Sequence, residues 1–174
     1  MKKKTRQLII GAVILLTVLC LVFIFGNSLK DSTESKEQSN AVKEVLMSIA
    51  NFFGFDGDIS LSKLRNFAHI AEFGMLGACL GALAIYIARR RADSLIARYA
   101  ICVSAAIGIG VVFAFLDELV QLGSAGRQCD IADVMLDTVG IIIGVALGSL
   151  AYLLFVKAIK WHKNKQNDKI QKNT

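Results

Sequence analysis

Apolar residues gather in four long blocks, at 7–26, 66–88, 95–116 and 131–156, separated by charged stretches. Each is close to the roughly 20 residues that a helix rising about 1.5 Å per residue needs to cross about 30 Å of hydrocarbon. Between the first two, Val42, Val45, Leu46, Ile49, Phe52 and Phe53 recur at helical spacing after Ser39. That spacing predicts a short amphipathic helix with Ser39 as its N-cap, ended by 54–57, lying on the membrane or across the mouth of the bundle. The pattern predicts an all-α membrane protein: a four-transmembrane-helix bundle with one short amphipathic helix outside it.

Composition agrees, since 55% of the 174 residues are hydrophobic against about 45–50% in a typical soluble domain. The net charge of +6 does not signal nucleic acid, because the basic residues flank the apolar blocks instead of forming one patch. Lys2, Lys3, Lys4 and Arg6, the stretch 89–98 and the tail after 156 hold fourteen of the twenty lysines and arginines. The positive-inside rule therefore places both termini in the cytoplasm, and the amphipathic helix and the 117–130 loop outside. The first block exceeds the 7–15 residues of a signal-peptide core, no A-x-A site follows it, and Leu19 precedes Cys20 where a lipoprotein needs a small residue. It reads as an uncleaved anchor. Residues 1–160 form one membrane domain, and the basic tail 161–174 is expected to be disordered. The four cysteines have no metal or redox spacing, and Cys129 stands alone in the outer loop.

With this topology, one level of the bundle collects an unusual set of side chains. Arg65, His69 and Glu72 recur at i, i+4, i+7 on one face of the second span. Asp117, Glu118 and Gln121 end the third, and Arg127, Asp130, Asp133 and Asp137 surround the start of the fourth. Asp133 and Asp137 continue into Gly140, Gly144 and Gly148, a small-residue stripe of the kind that packs against another helix, so these aspartates look into the bundle. Gly74, Gly77 and Gly81 are expected opposite the His69–Glu72 face. Ionisable groups inside a membrane cost at least about 2.5–3.5 kcal/mol for the most polar residues and mark function by default. His69, Glu72, Asp117, Glu118 and Asp133 are the candidate catalytic residues. Arg65, Gln121, Arg127 and Asp137 are the candidate ligand-binding residues, with Arg127 suited to bidentate contact with phosphate or carboxylate. The alternative is a helix-locking salt-bridge network. Clustered carboxylates are compatible with a divalent cation, but no specific metal motif is present.

The stretch Arg65-Asn66-Phe67-Ala68-His69-Ile70-Ala71-Glu72, then Asp117-Glu118-x-x-Gln121, Arg127 and Asp133-x-x-x-Asp137-x-x-Gly140 resemble the VanZ-like family. Phe25-Gly26-Asn27-Ser28 is a looser match to the family's aromatic–serine start. The chain departs from the family pattern at Asn66, Phe73 and Asp137, where lysine, tyrosine and asparagine are common. The resemblance implies a bacterial plasma-membrane protein, and the family's namesake gives low-level resistance to the glycopeptide teicoplanin. Its implied partners are the lipid bilayer and a lipid-linked envelope precursor or lipoglycopeptide. Beside that reading stands a membrane enzyme, a hydrolase or transferase acting on a lipid-linked phosphate or sugar through the His/Glu/Asp/Arg cluster. A transporter would want polar groups throughout the membrane depth, whereas these stop at one third.

Overall fold

A computed structural model describes residues 3–54, 57–58, 60–89, 95–127 and 129–172. Among them are five α-helices and no strand: α1 (Lys3–Ser28), α2 (Ser32–Phe52), α3 (Leu61–Ala88), α4 (Leu95–Gln121) and α5 (Ile131–Lys172). Four of the five, all but α2, are long and apolar enough to cross a membrane. Their large apolar side chains, among them Leu15, Val22, Ile109 and Leu147, are exposed on the outer surface of the bundle, where lipid tails solvate them at no cost.

α3 and α5 form the central, most extensive pair, with α4 and then α1 packed against it. Gly140, Gly144 and Gly148 make that pairing possible. A Cβ on Gly144 would fall onto the Gly74 carbonyl, and one on Gly148 onto Ala78, so the two backbones meet without intervening side chains, as in small-residue interfaces of membrane helices. On its other flank α5 presents Ile141, fully buried, to the open position left by Gly110 of α4. Gly77 and Gly81 approach Ile141 and Val145. They therefore sit beside the His69 face of α3, toward the same partner helix, and not opposite it as the sequence spacing suggests.

Several elements run longer than the apolar blocks. α2 begins at Ser32, not after Ser39. Asp31 is its N-cap, with Oδ1 accepting from the amides of Thr33 and Glu34 at 2.8 Å each, while Ser39 lies mid-helix and donates to the Ser35 carbonyl. The first two turns of α2 carry no apolar periodicity, which is why hydrophobic spacing misses them. It ends where Gly54 adopts φ +78°, a left-handed conformation that suits glycine at a helix C-terminus. α4 continues past 116 to Gln121, carrying Asp117 and Glu118 within the helix.

The tail differs most. Helix α5 runs on through the segment 161–172, which was expected to be disordered. No glycine or proline interrupts the chain after Gly148, its lysines and glutamines are good helix formers, and Lys165 Nζ sits 5.1 Å over the Trp161 ring one turn back.

The connections at one end tie the bundle together. The Ser32 amide donates to the Ala125 carbonyl at 3.1 Å, and Ser124 Oγ donates to the Ser28 carbonyl at 2.9 Å. The α4–α5 loop is thus fastened to the corner between α1 and α2, which closes the end of the bundle that holds the ionisable residues.

Candidate functional site

From α3, Arg65 and His69 point at α5. Arg65 Nη2 donates to Asp133 Oδ2 at 3.1 Å, and His69 Nδ1 lies 3.0 Å from Asp137 Oδ1. His69 Nε2 is 3.9 Å from Asp133 Oδ2. Glu72, two turns in from Arg65, faces α1 instead and accepts from Asn27 Nδ2 at 3.1 Å. The predicted common face of Arg65, His69 and Glu72 is present, but it bridges two neighbours.

α4 contributes Asp117, which is 2% exposed, and α5 contributes the deepest acid, the fully buried Asp137. Ser28 Oγ of α1 donates to Asp117 Oδ1, and Gln121 Nε2 donates to Asp117 Oδ2 at 2.8 Å. Glu118 is also buried, its Oε2 accepting the Asp130 amide at 2.9 Å, so it fastens the start of α5 as well as being an acid near the site. Arg127, half-buried in the loop, donates from Nη2 to Ser35 Oγ of α2 at 2.8 Å. Burial, and secondarily the nearby Arg65 guanidinium, pull its pKa below the ordinary arginine value, yet arginine remains charged in proteins.

Three of these groups keep an unsatisfied oxygen. Asp137 Oδ2, Gln121 Oε1 and Glu118 Oε1 are buried with no hydrogen-bond partner among the described residues. Buried polar atoms are ordinarily paired, and an unpaired one costs about 1–3 kcal/mol.

The arrangement encloses a cavity of about 130 Å³, whose walls include Arg65, His69, Glu72, Asp117, Gln121 and Arg127. Six of the nine residues singled out from sequence thus line one space. Asp133 and Asp137 border it through their contacts with Arg65 and His69, and Asp133 lines a wider adjoining recess with Arg65 and Arg127. Glu118 lines neither. The roof is α2, through Ser35, Gln38, Ser39 and Val42, which places this helix across the bundle mouth. Asn27 and Ser28 are wall residues that the sequence reading did not count as site residues. The aromatic–Asn–Ser ending of the first span was the signal that pointed to them.

The match that decides the relationship comes from the VanZ/LLP1 family model, which fits residues 13–155. The chain belongs to the VanZ-like family. The fitted region runs from inside α1 to within α5, so all the cavity walls and the roof are VanZ-like, and the chain is a multi-pass membrane protein. No curated protein and no solved structure matches it.

Proposed function

We propose that this VanZ-like protein acts on a membrane-anchored envelope ligand at the outer face of the bacterial plasma membrane, and that this lowers susceptibility to the lipid-tailed glycopeptide teicoplanin. The carrying observation is the cavity beneath α2, where Arg65 and Arg127 stand above buried acids at one end of the spans. Two guanidiniums suit a phosphate or carboxylate headgroup, and the lipid-facing helices around them suit its hydrocarbon anchor. The clustering of lysine and arginine at the opposite end supports an outward-facing cavity and cytoplasmic termini.

The test is susceptibility to teicoplanin, set beside vancomycin, in a strain lacking the protein and complemented with the unmodified chain, Arg127→Ala or Glu72→Gln. Deletion should raise teicoplanin sensitivity and leave vancomycin sensitivity unchanged, and neither variant should restore protection. Unchanged sensitivity on deletion would remove the reading.

A second reading, an enzyme acting on a lipid-linked phosphate, draws on the imidazole of His69 held at 3.0 Å by Asp137. A carboxylate-oriented histidine is the usual form of a general base. Release of inorganic phosphate or a headgroup from purified envelope lipids by the detergent-solubilised protein is the measurement that favours it.

A further inference from the structure

We propose that His69, Asp117 and Asp137 form a binding site for one divalent transition cation, with Gln121 Oε1 available as a further donor. Each of the three residues offers a ligand atom, and these atoms all lie within 4.8 Å of one another. In the tetrahedral geometry zinc prefers, donors about 2.0–2.2 Å from the ion lie about 3.3–3.6 Å apart. Side-chain movements of about 1 Å or less therefore bring them into coordination distance.

The unsatisfied oxygens are the independent observation. Asp137 is fully buried and Gln121 is 1% exposed, yet Asp137 Oδ2 and Gln121 Oε1 have no partner among the described residues. Gln121 also lines the cavity with His69 and Asp117. A cation at this site can accept electron pairs from such oxygens, which no donor among the described residues reaches.

Charge points the same way. Glu72, Asp117, Glu118, Asp133 and Asp137 gather around Arg65 and Arg127, Lys30 adds a third cation at the rim through Asn27 and Gln38, and His69 adds at most one more. A doubly charged ion close to Asp117 and Asp137 offsets that excess. It also removes the repulsion that buried carboxylates exert on an anionic headgroup.

The supporting contacts have the form of a metal site's outer layer. Ser28 Oγ and Gln121 Nε2 orient the Asp117 carboxylate, as second-layer hydrogen bonds orient metal-ligating carboxylates elsewhere. One imidazole nitrogen with two carboxylates selects zinc or manganese over magnesium and calcium, which prefer all-oxygen shells.

The experiment uses the full chain in detergent, freed of metal with a chelator, in a Cys129→Ser, His162→Gln background that removes an exposed thiol and an exposed imidazole in the tail. Zinc chloride and manganese chloride are titrated by calorimetry, with magnesium chloride for comparison. One saturable zinc or manganese site per chain is expected, with Kd below about 10 μM. His69→Gln and Asp137→Asn should weaken it at least about 100-fold, Ser28→Ala about tenfold, and Asp130→Asn not at all. If either ligand variant unfolds, X-ray absorption of the zinc-loaded parent decides: imidazole plus oxygen ligands support the site, and a sulfur shell overturns it. Absence of stoichiometric binding overturns it too, as does binding that survives both ligand substitutions. The readout is binding by purified protein, so failure of the teicoplanin reading and failure of this site are separate results.

Discussion

His69 Nδ1 of α3 and Asp137 Oδ1 of α5 lie 3.0 Å apart in the interior of the bundle. Asp137 is completely inaccessible, and this contact joins the two helices that make the central pair. The same residue carries both a structural tie and an unsatisfied oxygen, so its substitutions separate scaffold from site.

Asp137→Asn keeps shape and hydrogen-bonding capacity and should leave thermal stability in detergent close to that of the parent, while weakening zinc binding. Asp137→Leu leaves His69 buried and unpaired, and breaking a buried pair costs about 3–5 kcal/mol, so it should melt early. Thermal melts of the two variants beside a zinc titration make the comparison. A stable Asp137→Asn that binds zinc as tightly as the parent would leave the residue a purely structural role.

Glycine positions should differ sharply in tolerance. A Cβ on Gly144 collides with the backbone at Gly74 and Ala78, whereas one on Gly74 meets only the Gly140 carbonyl, at 3.6 Å, and one on Gly11 meets nothing within 4 Å. Gly144→Ala should therefore lower the melting temperature, Gly74→Ala should be near neutral, and Gly11→Ala should gain up to about 1 kcal/mol from helix propensity. Thermal unfolding of the three single variants in one detergent tests the order. Equal stability of all three would remove the argument that the glycines bring α3 and α5 together.

Topology is open to direct labelling. Cys129 is an exposed free thiol beside Arg127. It should react from outside intact cells with a membrane-impermeant maleimide, whereas Cys20 and Cys79, buried in the bundle, should not. Labelling of Cys129 only after permeabilisation would turn the cavity toward the cytoplasm.

Ser28 tests the part of the site contributed by α1. Its hydroxyl is 3% exposed and bonds both the Ile24 carbonyl and Asp117. Ser28→Ala removes a donor to a buried carboxylate and should cost about 1–3 kcal/mol. Ser28→Thr keeps the hydroxyl and should recover much of that loss. Equal melting of Ser28→Ala and the parent would show that Asp117 does not depend on it.

The spans were legible because a membrane helix has to be apolar over about 20 residues whatever its neighbours. The inward direction of Asp133 and Asp137 was legible for a related reason: the glycine stripe beneath them marks the packed face. Contacts between distant segments left no local trace. Asn27 and Glu72 are 45 residues apart, Ser28 and Asp117 are 89 apart, and an amide or hydroxyl ending a helix looks like an ordinary cap. Glu118 was ambiguous for the opposite reason. An acid at a membrane boundary is usually solvated, and only the folded chain, with the Asp130 amide bonded to its Oε2, shows it buried. The start of α2 was hidden because Asp31-Ser-Thr-Glu is a polar capping sequence with no apolar period after it to attract notice.

The roof of the cavity has no core of its own. Not one residue of α2 is buried, although the helix is 21 residues long and four of its side chains line the cavity. Its attachments to the rest of the chain include the Arg127–Ser35 hydrogen bond, the Ser32–Ala125 backbone bond and the Lys43–Asp58 ion pair at 2.7 Å. Amide protons of α2 should therefore exchange with solvent deuterium through small local openings, while those of α3 and α5 wait for the bundle to come apart. A guest entering the cavity then has only to displace a surface-held helix, and the energy that holds the four spans together need never be spent to admit it.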